Sequence, residues 1–309
     1  MESARTREDP RVHEVLSGSV ASQHAALSRW GFPPTRLLLL YNACAHRCFF
    51  CASAGTSDRA PGDQTPWEQI ADRLSPALPS EQGRLMVGGN EPVLHPDWPR
   101  LLARAAAQGF DDVALMTSGV GLDDPTRLAE WVAHGLRSVV VPLYSASAGP
   151  HDAVVGQRAH AALLDGLDAA VAAGLKVHVH TLALRQTLAG LPELARLCDQ
   201  RWGTPLVLAP VREKPALFDF QAEAADLVTL HDALVRWPAS LPLRLVGLPA
   251  CLDPLRSREV PLAVDLYFRS QARRFGAACT DCSARGRCPG VVQGQLEHHG
   301  EAGLRPLVG

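Results

Sequence analysis

Between residues 36 and 211 the chain switches repeatedly from short apolar runs to amphipathic helical patterns, and this alternation constrains its fold most. RLLLLY (36–41), RLMVGG (84–89), DVALMTSG (112–119), LRSVVVPLY (136–144), LKVHVHTLAL (175–184) and TPLVLAPV (204–211) read as six strands. Helical patterns separate them at 66–78, 97–108, 125–134, 158–173 and 191–202, with a further one at 222–237. Thr65 is expected to cap the first helix, with Pro66 at its first position. Gly174 is expected to end the fourth. Continuous apolar strands alternating with helices predict an α/β fold whose parallel sheet is covered by helices. The spacing of about 30 residues suits a βα repeat. Three regions are expected: an extension at 1–35, the βα region at 36–215, and a cysteine-bearing module at 216–309.

Thirty basic against 32 acidic residues leave a net charge of −2, so no basic surplus points to nucleic acid and no acidic block to a solvating tail. Apolar runs such as 37–41 fall far short of the ~18 residues a membrane span needs. The opening MESARTREDPRVHE has acids, a proline and no apolar core, so it does not read as a secretory signal. The expectation is a soluble, cytoplasmic protein.

In that compartment eight cysteines do not suggest disulfides. Seven fall into two groups, which points to metal or redox chemistry. Cys198, in the amphipathic pattern ELARLCDQ, reads as a buried core thiol. The first group is Cys44-x3-Cys48-x2-Cys51, just after the first strand. Three thiolates in one loop can hold three irons of a 4Fe–4S cube, leaving the fourth iron open to a small molecule. A zinc site wants four ligands; His46 is available as the fourth, but lies between two of the cysteines. His178 and His180 share one strand face. They are read as lining a polar lumen or as hydrogen-bonded, in preference to binding metal.

NACAHRCFFC (42–51) resembles the signature of the radical S-adenosylmethionine (SAM) superfamily. The resemblance extends over about 36–211 and implies a partial (βα)6 TIM-like barrel. It implies that Cys44, Cys48 and Cys51 hold a SAM-binding 4Fe–4S cluster and that Phe50 packs near the SAM adenine. Gly88-Gly89-Asn90-Glu91-Pro92 resembles the family's G-G-E-P element with Asn90 added, which leaves open whether Asn90 or Glu91 faces the ligand. Ser118, Ser145 and Arg185 follow strands three, four and five, where the family places polar contacts to SAM. LYSASAGPHDAVVG (143–156) resembles a family loop of the form H-D-x-x-x-G, to which no role is assigned. No catalytic residue is assigned.

The second group is Cys279-x2-Cys282-x5-Cys288, with Cys251 as a fourth thiolate. Four cysteines satisfy either a 4Fe–4S cube or zinc. A single C-x2-C pair and irregular spacing favour the cube, and the arrangement resembles the SPASM and shorter twitch tails of radical SAM enzymes. One auxiliary cluster is implied. Arg273, Arg274, Arg285 and Arg287 are candidates to offset its charge.

The implied activity is reductive cleavage of SAM to a 5′-deoxyadenosyl radical and hydrogen abstraction, in oxidative modification or crosslinking of a ribosomally made peptide. The alternatives are a dehydrogenase or mutase of a small natural-product intermediate and, outside this chemistry, a zinc-binding protein. Implied partners are an external one-electron donor such as flavodoxin or ferredoxin and, for a peptide substrate, a separate recognition protein. The 35 residues before the first strand are too few for a leader-binding domain, and no cobalamin-binding domain is expected.

Overall fold

The computed structural model of the chain describes residues 19–29, 34–40, 43–51, 64–211, 219–253, 273–286 and 288–308. Seven parallel strands form one sheet in sequential order: β1 (Arg36–Leu40), β2 (Arg84–Gly89), β3 (Asp112–Met116), β4 (Leu136–Pro142), β5 (Lys176–Leu182), β6 (Leu206–Ala209) and β7 (Leu243–Leu245). Parallel neighbours need long crossovers. These contain α2 (Trp67–Arg73), α3 (Trp98–Ala107), α4 (Pro125–Ala133), α5 (Ala148–Val155), α6 (His160–Ala172), α7 (Leu191–Trp202), α8 (Phe220–Glu223) and α9 (Leu227–Val235), while α1 (Val20–Arg29) precedes β1. The fold is the expected α/β partial barrel, with a seventh strand. That strand comes from the segment assigned to the second module, so the sheet continues beyond residue 215.

Most strands carry apolar residues on both faces, as a sheet buried on both sides requires, while β5 turns His178 and His180 inward. Leu38, Leu40, Leu85, Val87, Val177 and Val179 pack outward with the helices, in the same core as Trp98 and Leu101 of α3. Leu37, Met86, Val140, Leu182 and Val207 form a separate inner cluster with Phe220. Trp98 meets Trp131 of α4 edge to face at 5.8 Å, an arrangement worth about 0.5–1.5 kcal/mol beyond burial.

At the start of β1 the fully buried Arg36 and Glu81 form a two-pronged pair, Nε to Oε1 at 2.7 Å and Nη2 to Oε2 at 2.8 Å. Arg36 also donates to the Arg73 carbonyl, and Glu81 accepts the Leu78 N–H and contacts His24 of α1. One residue before His24, the buried Gln23 side chain bonds both the N–H and the C=O of Leu37.

Several expectations need correction. The first helix runs only over Trp67–Arg73, and its cap is Pro66 rather than Thr65. Ser75-Pro76 follows, and the residue before a proline resists helical geometry. The pattern at 222–237 is two helices, split where Ala224 bridges Leu184 and the Ala225 N–H bonds the Ala183 carbonyl. The loop at 143–156 contains α5. After β7, the short antiparallel pair β8 (Arg273–Arg274) and β9 (Val291–Val292) leads into α10 (Gln293–His299).

Candidate functional site

An open cavity of about 1110 Å³ lies at the carboxyl ends of β1 to β5. This is the end of a parallel barrel where successive loops converge. Cys44, Cys48 and Cys51 all line it, as does His46 between them. Their loop is held by the Arg47 N–H on the Val155 carbonyl at 2.9 Å, at the end of α5. Gly156 follows with φ of +70°, and its hypothetical Cβ would press on the Arg47 carbonyl oxygen. Helix α5, absent from the sequence reading, therefore anchors the cysteine loop.

Burial pushes the Cys44 thiol up to about 11 and raises Cys48 further, and the neighbouring cysteines reinforce both shifts. Clustered thiolates ionise together only against bound positive charge. Among the described residues no three His, Cys, Asp or Glu side chains converge as a site for one metal ion. A cube takes one thiolate per iron and spreads its ligands more widely. The donor set and the open volume beside it fit a cluster with a small molecule on its free side.

At the end of β2, Asn90 lines the cavity and Glu91 does not. Gly89 has φ of +119°, and a Cβ there would collide with the Leu40 carbonyl, so only glycine fits. The Asn90 N–H bonds that carbonyl at 3.0 Å, and Asn90 lines the cavity. Glu91 turns away and is fully buried. Its carboxylate accepts the Thr117 hydroxyl at 2.6 Å, the Ser118 N–H at 2.7 Å and the Ser118 hydroxyl. Burial raises the Glu91 carboxyl above its ordinary range, and these donors partly offset the shift. Glu91 thus ties the end of β2 to the end of β3 and sets Thr117 and Ser118 in the cavity wall.

Phe50 also lines the cavity, edge-on to Tyr144 at 5.4 Å. Tyr144 stacks on His151, whose Nδ1 accepts the Tyr144 N–H. Three further residues singled out from the sequence are not among those lining the cavity. Gly88 sits behind the wall, against Met116 and Leu39. The Ser145 hydroxyl accepts the Ser147 N–H in the turn before α5. Arg185 donates to the Ala222 carbonyl at 3.0 Å and pairs with Asp226 at 3.6 Å, bracing α8 and α9. Neither Ser145 nor Arg185 lines the cavity.

His180 lines it, as a lumen-facing strand residue should. Burial lowers its pKa to about 4, so the ring is neutral at neutral pH, and its Nδ1 has no hydrogen-bond partner. Thr117, Tyr144 and Leu182 were not singled out from sequence. The signal was strand alternation, since Tyr144 and Leu182 continue the inward series of Val140 and His180.

Four of the five other cysteines, Cys251, Cys279, Cys282 and Cys288, come together around a second pocket of about 360 Å³. Cys288 Sγ accepts the N–H groups of Ala250 at 3.3 Å and Gly290 at 3.4 Å. Arg285 lies over the Phe275 ring, and both line the pocket. Arg273 instead bonds the Gly247 and Gly290 carbonyls. Arg274 is exposed, and Arg287 lies outside the described residues. Cys198 is a buried core thiol, as expected.

The profile of the radical SAM superfamily matches residues 38–198, just over half of the chain. The chain belongs to the radical SAM superfamily. Members of this superfamily are enzymes that bind SAM and a 4Fe–4S cluster. The radical SAM region is similar to PqqA peptide cyclase of Streptomyces rochei, 32% identical over 155 residues, covering 50% of this chain and 42% of that protein. It is also similar to a probable GTP 3′,8-cyclase of Aeropyrum pernix, 30% identical over 148 residues, 46% of this chain and 41% of that protein. The chain thus spans less than half of these curated relatives. Its fold resembles Streptococcus suis SuiB, solved bound to precursor peptide SuiA. The TM-score is 0.51 at 17% identity, over 86% of this chain and 63% of that one. Among the described residues no helix is long and apolar enough to cross a membrane.

Proposed function

We propose that the chain is a radical SAM enzyme that oxidatively modifies or crosslinks a ribosomally made peptide. The observation that carries this is the convergence of Cys44, Cys48 and Cys51 on one cavity with Asn90 and Ser118 at the ends of β2 and β3. The cluster and SAM would supply a one-electron cleavage of SAM to methionine and a 5′-deoxyadenosyl radical, which takes hydrogen from the substrate. Cys44, Cys48 and Cys51 would hold that cluster. Gly89 lets the backbone turn so that Asn90 offers its amide, and Glu91 holds Ser118 beside it. Phe50 and Tyr144 give the cavity an apolar wall that excludes water.

Cys251, Cys279, Cys282 and Cys288 would hold one auxiliary 4Fe–4S cluster. With four thiolates it has no open iron, so it would move electrons or hold the fold rather than ligate substrate. The peptide reading draws on PqqA peptide cyclase among the curated relatives and on the SuiB–SuiA complex. The GTP 3′,8-cyclase relatives favour a second reading, a small-molecule substrate. An external one-electron donor and a separate peptide-recognition protein complete the proposal.

Anaerobic reconstitution with iron and sulfide, followed by dithionite and SAM, tests it. The wild type should form 5′-deoxyadenosine and Cys48→Ala should not. Equal cleavage by both, or zinc without iron in the native protein, would overturn the reading. Product formed from a candidate precursor peptide rather than from GTP separates the two substrate classes.

A further inference from the structure

Leu304 and Pro306 complete the wall of the pocket that the four later cysteines line. The segment carrying them is tied down on both sides. The Glu301 carboxylate accepts the Ala277 N–H at 2.9 Å and the Ala278 N–H at 3.1 Å, in the turn that leads into Cys279. Gly303 lies directly on α9, where a Cβ would collide with the Leu227 backbone. Beyond the pocket, the Leu307 carbonyl accepts both the N–H and the hydroxyl of Ser283, each at 2.9 Å. Between these anchors two backbone N–H groups meet sulfur. That of Arg305 bonds Cys251, and that of Leu307 bonds Cys282 Sγ at 3.4 Å. Pro306, between them, has no N–H to leave unsatisfied.

We propose that residues 301–307 form a strap that closes and tunes the second cysteine centre, with the Arg305 and Leu307 N–H groups bonding two of its thiolates and raising its reduction potential. The proposal rests on the reading that these cysteines hold a 4Fe–4S cluster. Reduction adds negative charge to such a cluster, and an N–H aimed at a ligand sulfur stabilises that charge, so each bond favours the reduced state. Leu304 and Pro306 meanwhile shield the cysteines from water. Through Gly303 the strap also joins the centre to α9, which packs on the barrel.

Leu307→Pro removes one donor and Leu307→Ala keeps it. The full chain is reconstituted anaerobically, its iron counted, and each cluster titrated by EPR, with the auxiliary signal identified by its loss in Cys282→Ser. The wild type should hold about eight irons, two cubes' worth. The auxiliary potential should fall in Leu307→Pro and stay at the wild-type value in Leu307→Ala, while the SAM-site signal is unmoved in both. Should Leu307→Pro fail to fold, wild type and Leu307→Ala, both labelled with 15N at leucine, decide. The reduced auxiliary cluster of the wild type should then show a 15N coupling that is lost in Leu307→Ala, whose residue 307 carries no label. An unshifted potential with full iron, or identical 15N couplings in the two chains, overturns the strap's role alone. About four irons in the wild type, unaffected by Cys282→Ser, overturns the auxiliary cluster and the strap's role with it.

Discussion

The Glu91 carboxylate holds the Ser118 backbone N–H at 2.7 Å, so the acid that follows Gly89 and Asn90 acts on the neighbouring strand instead of on the cavity. Glu91→Ala would leave the Thr117 hydroxyl and Ser118 amide without their acceptor, at about 1–3 kcal/mol for each buried donor. Glu91→Gln keeps an acceptor for the Ser118 amide. Denaturant titration should rank wild type and Gln above Ala. SAM affinity should fall most in Ala, because Ser118 loses its position.

Gly88 and Gly89 should respond differently to the same added methyl group. At Gly88 the new Cβ meets the Met116 sulfur at 3.3 Å, a flexible side chain that can move. At Gly89 it meets the β1 backbone at positive φ, which costs roughly 1–2 kcal/mol in conformation alone. Gly89→Ala should lower both SAM affinity and iron content, since β1 leads into the cysteine loop. Gly88→Ala should retain its iron. Iron assay and calorimetric titration with SAM check this.

Arg36 and Glu81 should dominate acid stability at the base of the barrel. Burial pushes the Glu81 carboxyl up, but Arg36, the Leu78 N–H and His24 reverse this and hold it below its ordinary value. The pair's contribution is complete above the unfolded carboxylate range and is lost as pH falls through the lowered folded value. Arg36→Met strands a buried carboxylate and should cost about 3–5 kcal/mol at neutral pH. Urea denaturation at neutral and acid pH measures both effects.

His180 should contribute at milder pH. Its folded pKa of about 4 lies below the ordinary 6.5, so the unfolded chain binds the proton first. Stability from this group is full above pH 6.5 and drains away as pH falls toward 4. His180→Gln should flatten that loss in denaturation curves between the two values. Between neutral pH and pH 6 the wild-type ring stays neutral, so SAM affinity should not change through His180.

The six longer strands were legible because each is a largely apolar or alternating run between turn signals. Leu243–Leu245 escaped because three residues between Pro242 and Gly247 carry no periodicity. Helix α5 escaped because AGPHDAVV sets Gly149 and Pro150 inside its first turn, where they read as a loop. The two cysteine sets were legible from spacing, and both come together. The finer contacts were not. Whether Asn90 or Glu91 faces inward depends on the φ of Gly89, and Arg185 turns to α8 because free carbonyls wait there.

The Gln23 amide supplies Leu37 with both a donor and an acceptor, as a neighbouring strand would. One side chain therefore acts as a stopper on the first edge of the sheet. Exposed edges recruit strands from other chains, and here the docking points of Leu37 are already taken from within. Growth of the sheet by strand addition is thus blocked at β1, on the flank of the strand that leads into the cysteine loop. A Gln23→Ala chain would uncover those two groups and should self-associate at concentrations where the parent stays dispersed.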